Sequence, residues 1–135
     1  MKIYFAGAIR GGRDDWALYR EIVIALGKYG KVFTEHIADP ELSGLGEDLG
    51  DREIYERDLA WLKESNYLVA EVTTPSLGVG YEIGKATEWN KPILCLFRPC
   101  KDRKLSAMIA GSDGLTVRQY QNAAELNEIF REFFA

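Results

Sequence analysis

Two carboxylates, Glu82 and Asp58, have the type and spacing to do chemistry. Glu82 ends the string Glu71-Val72-Thr73-Thr74-Pro75-Ser76-Leu77-Gly78-Val79-Gly80-Tyr81-Glu82, which reads as an apolar strand passing through a glycine turn into a helix. Glycines beside a helix N-terminus let backbone N–H groups approach an anion, and ligands of open α/β sheets gather at the carboxyl ends of the strands. The spacing predicts Glu82 in the first helical turn, where the helix dipole keeps a carboxylate ionised and ready as a nucleophile or base. The alternative is an acid placed there for helix stability alone. Asp58 lies four residues after Ile54 and four before Leu62, on an apolar stripe with Trp61 and Leu59. An inward ionised Asp is costly unless it is paired or faces a polar cavity, so its position calls for a partner or a job. Its alternative is a boundary residue bonded to nearby backbone or to an arginine. Two acids converging on one cleft, one at a helix start and one partly desolvated, divide nucleophile from general acid, which is the logic of a glycosidase.

The elements that must position these acids alternate along the chain. Lys2 to Gly7 reads as a first strand, followed by the turn Ala8-Ile9-Arg10-Gly11-Gly12-Arg13. Asp14 caps a helix whose stripe is Leu18, Ile22, Val23, Leu26 and Tyr29, with Gly30 as its stop. Lys31 to Thr34 is a second strand, and the glycine- and proline-punctuated segment from Ala38 to Gly50 reads as a loop over one edge of the sheet, of the kind that forms lids. Asp51 caps a helix from Arg52 to Ser65, the third strand covers Tyr67 to Ala70, and Ile93 to Phe97 is a fourth. A short helix over Lys104 to Ala110, a strand over Leu115 to Tyr120 and a closing helix begun by Asn122 and Glu125 at capping-box spacing complete the order. Strands alternating with helices imply a doubly wound parallel sheet covered on both faces, expected here as a single domain over 1–135 with strand order 2-1-3-4-5. That order puts the turns after the first and third strands at the topological switch point, so Tyr4, Ala8, Arg10, Ser76, Gly78 and Glu82 meet at one crevice.

Composition excludes several classes. The chain has 135 residues, 47% of them apolar and 28% charged, as in an ordinary globular domain, and its net charge of −4 argues against a nucleic-acid-binding surface. Ile3 to Ile9 is too short and too soon followed by Arg10 and Arg13 for a signal peptide or a membrane span, so an intracellular protein is expected. Cys95 and Cys100 read as free thiols, with no histidine cluster to suggest zinc. The spacing of Gly7, Gly11 and Gly12 ahead of Glu35 is wrong for a dinucleotide fingerprint. His36, the sole histidine, reads as a loop or strand-end residue, and Thr73, Ser76 and Ser106 have no histidine to make a triad. Trp16, Trp61 and Trp89 suit packing. Arg10, in its glycine turn, suits an anion contact.

Ile3-Tyr4-Phe5-x-Gly7-x-Ile9-Arg10-Gly11-Gly12-Arg13, Thr34-Glu35-His36, Asp58-Leu59-x-Trp61-Leu62, Ala70-Glu71-Val72-Thr73-x-Pro75-Ser76-Leu77-Gly78-Val79-Gly80-Tyr81-Glu82, Ile93-Leu94-Cys95-Leu96-Phe97-Arg98-Pro99 and Leu105-Ser106-Ala107-Met108-Ile109 follow one another in this chain. Together they resemble the nucleoside 2-deoxyribosyltransferase family, and within it the enzymes that hydrolyse 2′-deoxynucleoside 5′-monophosphates. The resemblance implies a homodimer, working in the cytoplasm with the nucleus also open to it, that gives free base and 2-deoxyribose 5-phosphate. No metal or organic cofactor, nucleic acid or membrane is implied. Carried onto matching positions, Glu82 is the nucleophile that forms a covalent glycosyl-enzyme, Asp58 the acid that helps the base leave, and Tyr4 the group that orients Glu82 and crowds the 2′ position. Gly7, Ala8, Ile9, Arg10, Gly11, Ser76, Gly78, Ser106 and Met108 are the implied substrate contacts. Ser76, the Gly78 backbone and Arg10 line the phosphate, and Ser106 comes from the neighbouring subunit. Ala8 departs from the vertebrate pattern, which has a serine there. A transferase that passes deoxyribose to another base, and a non-catalytic nucleotide-binding domain on the same fold, are the other readings; the first differs in whether water or a base captures the glycosyl-enzyme.

Overall fold

The computed structural model describes residues 1–9, 15–34 and 50–135. Arg10 and Gly11, Asp14, Glu35, His36 and the expected loop up to residue 49 lie outside the described residues. Five strands, β1 (Lys2–Ala6), β2 (Lys31–Phe33), β3 (Tyr67–Glu71), β4 (Ile93–Phe97) and β5 (Thr116–Gln119), form one sheet in the order β2-β1-β3-β4-β5. Every neighbouring pair is parallel, with Tyr4 beside Leu68, Leu68 beside Ile93 and Leu94 beside Thr116. The helices are α1 (Trp16–Leu26), α2 (Asp51–Glu64), α3 (Leu77–Glu88), α4 (Ala107–Ala110) and α5 (Leu126–Phe133). No helix among the described residues is long and apolar enough to cross a membrane.

The alternation of side chains along each strand splits the core in two. Ile3, Phe5, Val69, Leu94 and Leu96 face α1 and α5, where they pack on Tyr19, Ile22, Leu26, Leu126 and Phe130. Tyr4, Ala6, Leu68, Ala70, Ile93 and Cys95 face the other way, onto Leu62 of α2 and Val79, Ile83 and Ala86 of α3. Strands buried on both faces are continuous apolar runs for this reason. Each fully buried Leu, Ile or Phe contributes roughly 1.5–3 kcal/mol of transfer free energy, so the sheet holds its strand ends firmly in place.

Element boundaries depart from expectation where a capping group decides them. α1 stops at Leu26 with Gly27 as its C-cap, and Gly30 is not the stop. Gly30 instead lies where any side chain would run into the Met1 carbonyl, so a glycine is needed there for close backbone approach. α2 takes Gly50 as its N-cap and Asp51 as its first residue. Ser106 caps α4, which therefore begins at Ala107 and not at Lys104. A 3₁₀ turn over Ala123–Glu125 precedes α5; Asn122 accepts from the Ala124 N–H at 3.0 Å, and Glu125 reaches back to the Gln121 N–H at 2.5 Å.

Candidate active site

The connection from β3 to α3 is where the structure corrects the sequence most. Ser76 has extended backbone and its hydroxyl accepts from the Val79 N–H at 3.3 Å, which makes it the N-cap of α3. Gly78 and Gly80 are therefore inside the helix, and Glu82 falls in its second turn, beyond the first turn where the dipole acts on a carboxylate. What qualifies Glu82 is its place on a cavity wall. Tyr55, Asp58 and Leu59 of α2 and Gly78, Tyr81 and Glu82 of α3 line an open cavity of about 380 Å³. Both predicted acids thus meet in one cavity, although they lie on different helices.

Asp58 is buried, as its place on the apolar stripe requires, and Arg57 gives it the partner that burial demands. Arg57 in turn lies over the Trp61 ring, and Trp61 stacks on Phe33 with centroids 5.8 Å apart. Tyr4 is buried among the residues that α2 and α3 cover, on the same side of the sheet as the cavity. Gly7, Ala8 and Ile9 leave β1 beside the end of β3, because Ala6 pairs with Ala70. Ala8 is buried, its backbone bonded to the Tyr19 hydroxyl, whereas Ile9 is half exposed.

Ser76, Ser106 and Met108 are not brought to the cavity of Asp58 and Glu82 within one chain. They line a second cavity of about 350 Å³ with Leu77, Gly80 and Ile83. At 100° per residue Gly80 and Ile83 lie across the helix from Gly78, Tyr81 and Glu82, with Leu77 between the two faces. Sequence reasoning also missed Tyr55 and Tyr81, whose hydroxyls are 3.1 Å apart on the first cavity's wall. The available signal was that Tyr55 stands one turn before Asp58 and Tyr81 adjoins Glu82.

It missed Glu71 as well. This side chain has no exposed surface, and its carboxylate accepts from the Thr73 N–H at 2.7 Å, from the Tyr120 hydroxyl and from Arg98 Nε at 3.5 Å. Burial, with the neighbouring carboxylate of Glu71, pushes the Tyr120 hydroxyl well above its ordinary range, so it stays a donor. Among the described residues no group of three or more His, Cys, Asp and Glu side chains is gathered to hold a metal ion.

The family model for nucleoside 2-deoxyribosyltransferases matches residues 3–126. The chain belongs to this family. A 5-hydroxymethyl-dUMP N-hydrolase of Mus musculus is 58% identical over 126 residues, spanning 91% of this chain and 73% of that protein. One of the same name from Tetraodon nigroviridis is 49% identical over 140 residues, spanning 100% of this chain and 98% of its own. Among solved structures, the CMP N-glycosidase BcmB of Clostridium botulinum superposes with a TM-score of 0.69 at 16% identity, over 98% of this chain and 99% of that one. At that identity the likeness is one of fold alone.

Proposed function

We propose that this chain hydrolyses the N-glycosidic bond of 2′-deoxynucleoside 5′-monophosphates, releasing free base and 2-deoxyribose 5-phosphate. The observation that carries the reading is the meeting of Asp58 and Glu82 in one cavity, one from each of two adjacent helices. The names of the relatives agree with it, and 5-hydroxymethyl-dUMP is the first substrate to test.

In the proposed reaction a Glu82 oxygen forms a bond to the anomeric carbon as the bond to the base breaks. The electron pair of that bond departs with the base, which takes a proton from the Asp58 carboxyl as it leaves. Water then opens the glycosyl–Glu82 ester, its hydroxyl joining the anomeric carbon and its proton going to Asp58, so that both side chains return to their starting forms. Tyr4 orients Glu82 and crowds the 2′ position. The phosphate is received by Gly7, Ala8, Ile9, Arg10 and Gly11 after β1 and by the N-terminus of α3, where the Gly78 backbone, a turn before Glu82, borders the cavity that the two acids line and the Ser76 hydroxyl lies outside it. A Ser76 hydroxyl that accepts from Val79 still has a proton to donate to a phosphate oxygen.

Two copies complete the site, with Ser106 and Met108 of one chain serving the cavity of the other. The support is an exposed apolar surface on these helices, with Leu77 96% and Met108 83% exposed, beside the second cavity. Surfaces of that kind mark contacts with another protein. The protein acts as a single domain in the cytoplasm, the nucleus also being open to it, and needs no metal or organic cofactor.

A second reading, deoxyribosyl transfer to an acceptor base, is favoured by the family model itself. Chromatography of reactions with 5-hydroxymethyl-dUMP, other deoxynucleotides, ribonucleotides and free deoxynucleosides, each with and without an acceptor base, decides between them. Hydrolysis predicts base release from deoxynucleotides that does not depend on acceptor and is much slower on the other substrates. New nucleoside formed from the acceptor would assign the transferase.

A further inference from the structure

Three charged side chains at the carboxyl end of the sheet are left over by the proposed chemistry: Glu71, Arg98 and Asp15. Arg98, which follows the last residue of β4, donates Nη2 to Asp15 Oδ1 at 2.6 Å and Nε towards Glu71 Oε2 at 3.5 Å. Its backbone N–H donates to the Thr73 hydroxyl at 2.9 Å, and Thr74 donates its own hydroxyl to the other oxygen of Asp15 at 3.3 Å. Glu71 Oε1 takes the Thr73 N–H, and the Val72 N–H is held by the Leu96 carbonyl. Each residue from 71 to 74 is therefore tied to a neighbouring element just before Pro75 and Ser76 open α3. Asp15 stands directly before α1. The Ala8 backbone, just past β1, bonds the Tyr19 hydroxyl, which also feels the charges of Glu71, Asp15 and Arg98.

Bonds of this kind are costly to assemble without a use. A fully buried Glu71 needs a counter-charge, and Arg98 is the cation that reaches it and Asp15 together, while its own side chain is only 28% exposed. An apolar pair of similar volume would fill the same place without demanding this geometry. What the charged trio adds is a fixed relation between the start of α1 and the segment after β3, on either side of the topological switch point between β1 and β3. Burial works against the Arg98 charge, and the bond and charge of Asp15 with the charge of Glu71 more than restore it, so the guanidinium stays cationic across any working pH.

We infer that Arg98 is a positioning residue: by clamping Asp15 to Glu71 it sets the segment that opens α3, and with it Glu82, against the start of α1. The inference rests on the hydrolase reading for its kinetic consequence, and on the fold alone for its structural one. The test compares wild-type protein with Arg98→Met and Arg98→Lys by native-state amide hydrogen exchange and by base release from deoxynucleotides and deoxynucleosides. Exchange at Thr73, Thr74 and Val79 is expected to quicken at least about tenfold in Arg98→Met, with α5 unchanged and Arg98→Lys intermediate. The kcat per folded molecule is expected to fall on the order of 100-fold, the scale of a misplacement of about 1 Å. Wild-type exchange over 73–79, or quickened exchange with unchanged kcat, overturns the inference. If wild-type protein releases no base, the hydrolase reading fails, and the exchange rates alone decide whether the clamp exists. Should Arg98→Met not fold, Thr74→Val, which removes one bond to Asp15, carries the same comparison.

Discussion

Arg57 donates from both Nε and Nη2 to one oxygen of Asp58, at 3.0 and 2.9 Å, and its guanidinium lies 4.7 Å from the centre of the Trp61 ring. The two residues are adjacent in sequence, so α2 carries its own counter-ion to the carboxylate that it buries. Removing one partner of such a pair leaves an uncompensated charge, which costs more than the pair contributed. Arg57→Met is expected to destabilise the protein by about 3 kcal/mol in denaturant unfolding, and Arg57→Met with Asp58→Asn to recover part of that loss. Asp58→Asn alone is expected to retain the fold and to slow base release by roughly 10²–10⁴-fold, as removal of a proton-transferring group does.

Ser76 is assigned two duties, capping α3 and meeting the phosphate, and two substitutions separate them. Loss of the cap in Ser76→Ala costs about 1 kcal/mol, whereas glycine at an N-cap costs only a few tenths. Both variants lose the hydroxyl. A hydrogen bond to a charged group contributes roughly 1.5–3 kcal/mol, or about ten- to hundredfold in affinity. Ser76→Gly is therefore expected to unfold near the wild-type midpoint while its KM for deoxynucleotides rises by that factor and its KM for deoxynucleosides holds. An equal rise for both substrates would place Ser76 away from the phosphate.

Stability at high pH tests the buried polar network. Burial and the nearby charge of Glu71 raise both Tyr120 and Tyr19 above their ordinary 10.0. In the unfolded chain these hydroxyls ionise near pH 10, so their contribution is fully present below that pH and is lost as pH rises further. The decline is about 1.4 kcal/mol per pH unit for each tyrosine. Tyr120→Phe, which takes a donor from buried Glu71, is expected to lose about 1–3 kcal/mol at neutral pH and to show a shallower alkaline decline than wild type. Unfolding midpoints from pH 7 to 11 measure both effects.

The order of the sheet was legible because each strand is an unbroken apolar run and each crossover has a helical stripe, so topology rules leave few arrangements. Asp58 was legible for a related reason, since a charge on the apolar stripe beside Ile54 and Leu62 is conspicuous in one dimension. Glu82 was found but misplaced by a turn. Gly78 and Gly80 look like turn residues, and only the Ser76 hydroxyl, by capping Val79, decides that they are helical. Glu71 was hidden because an acid ending an apolar run looks like the strand's exit to solvent. Its burial depends on Arg98, which lies just past another strand, β4, and Arg98 depends on Asp15, 83 positions away. Local pattern carries no record of contacts at that separation. The turn residues Arg10 and Gly11 lie outside the described residues, so their assignment to the phosphate rests on sequence.

The proposed role of Glu82 requires a bond between its carboxylate and the sugar during turnover. Rapid acid quench during turnover of 5-hydroxymethyl-dUMP, followed by peptide mass analysis, reads that bond directly. A deoxyribosyl phosphate adduct is expected on the peptide that contains Glu82, with its disappearance in a Glu82→Ala variant that still folds and no base release by that variant. Base release by Glu82→Ala at a rate near that of wild type would contradict that role.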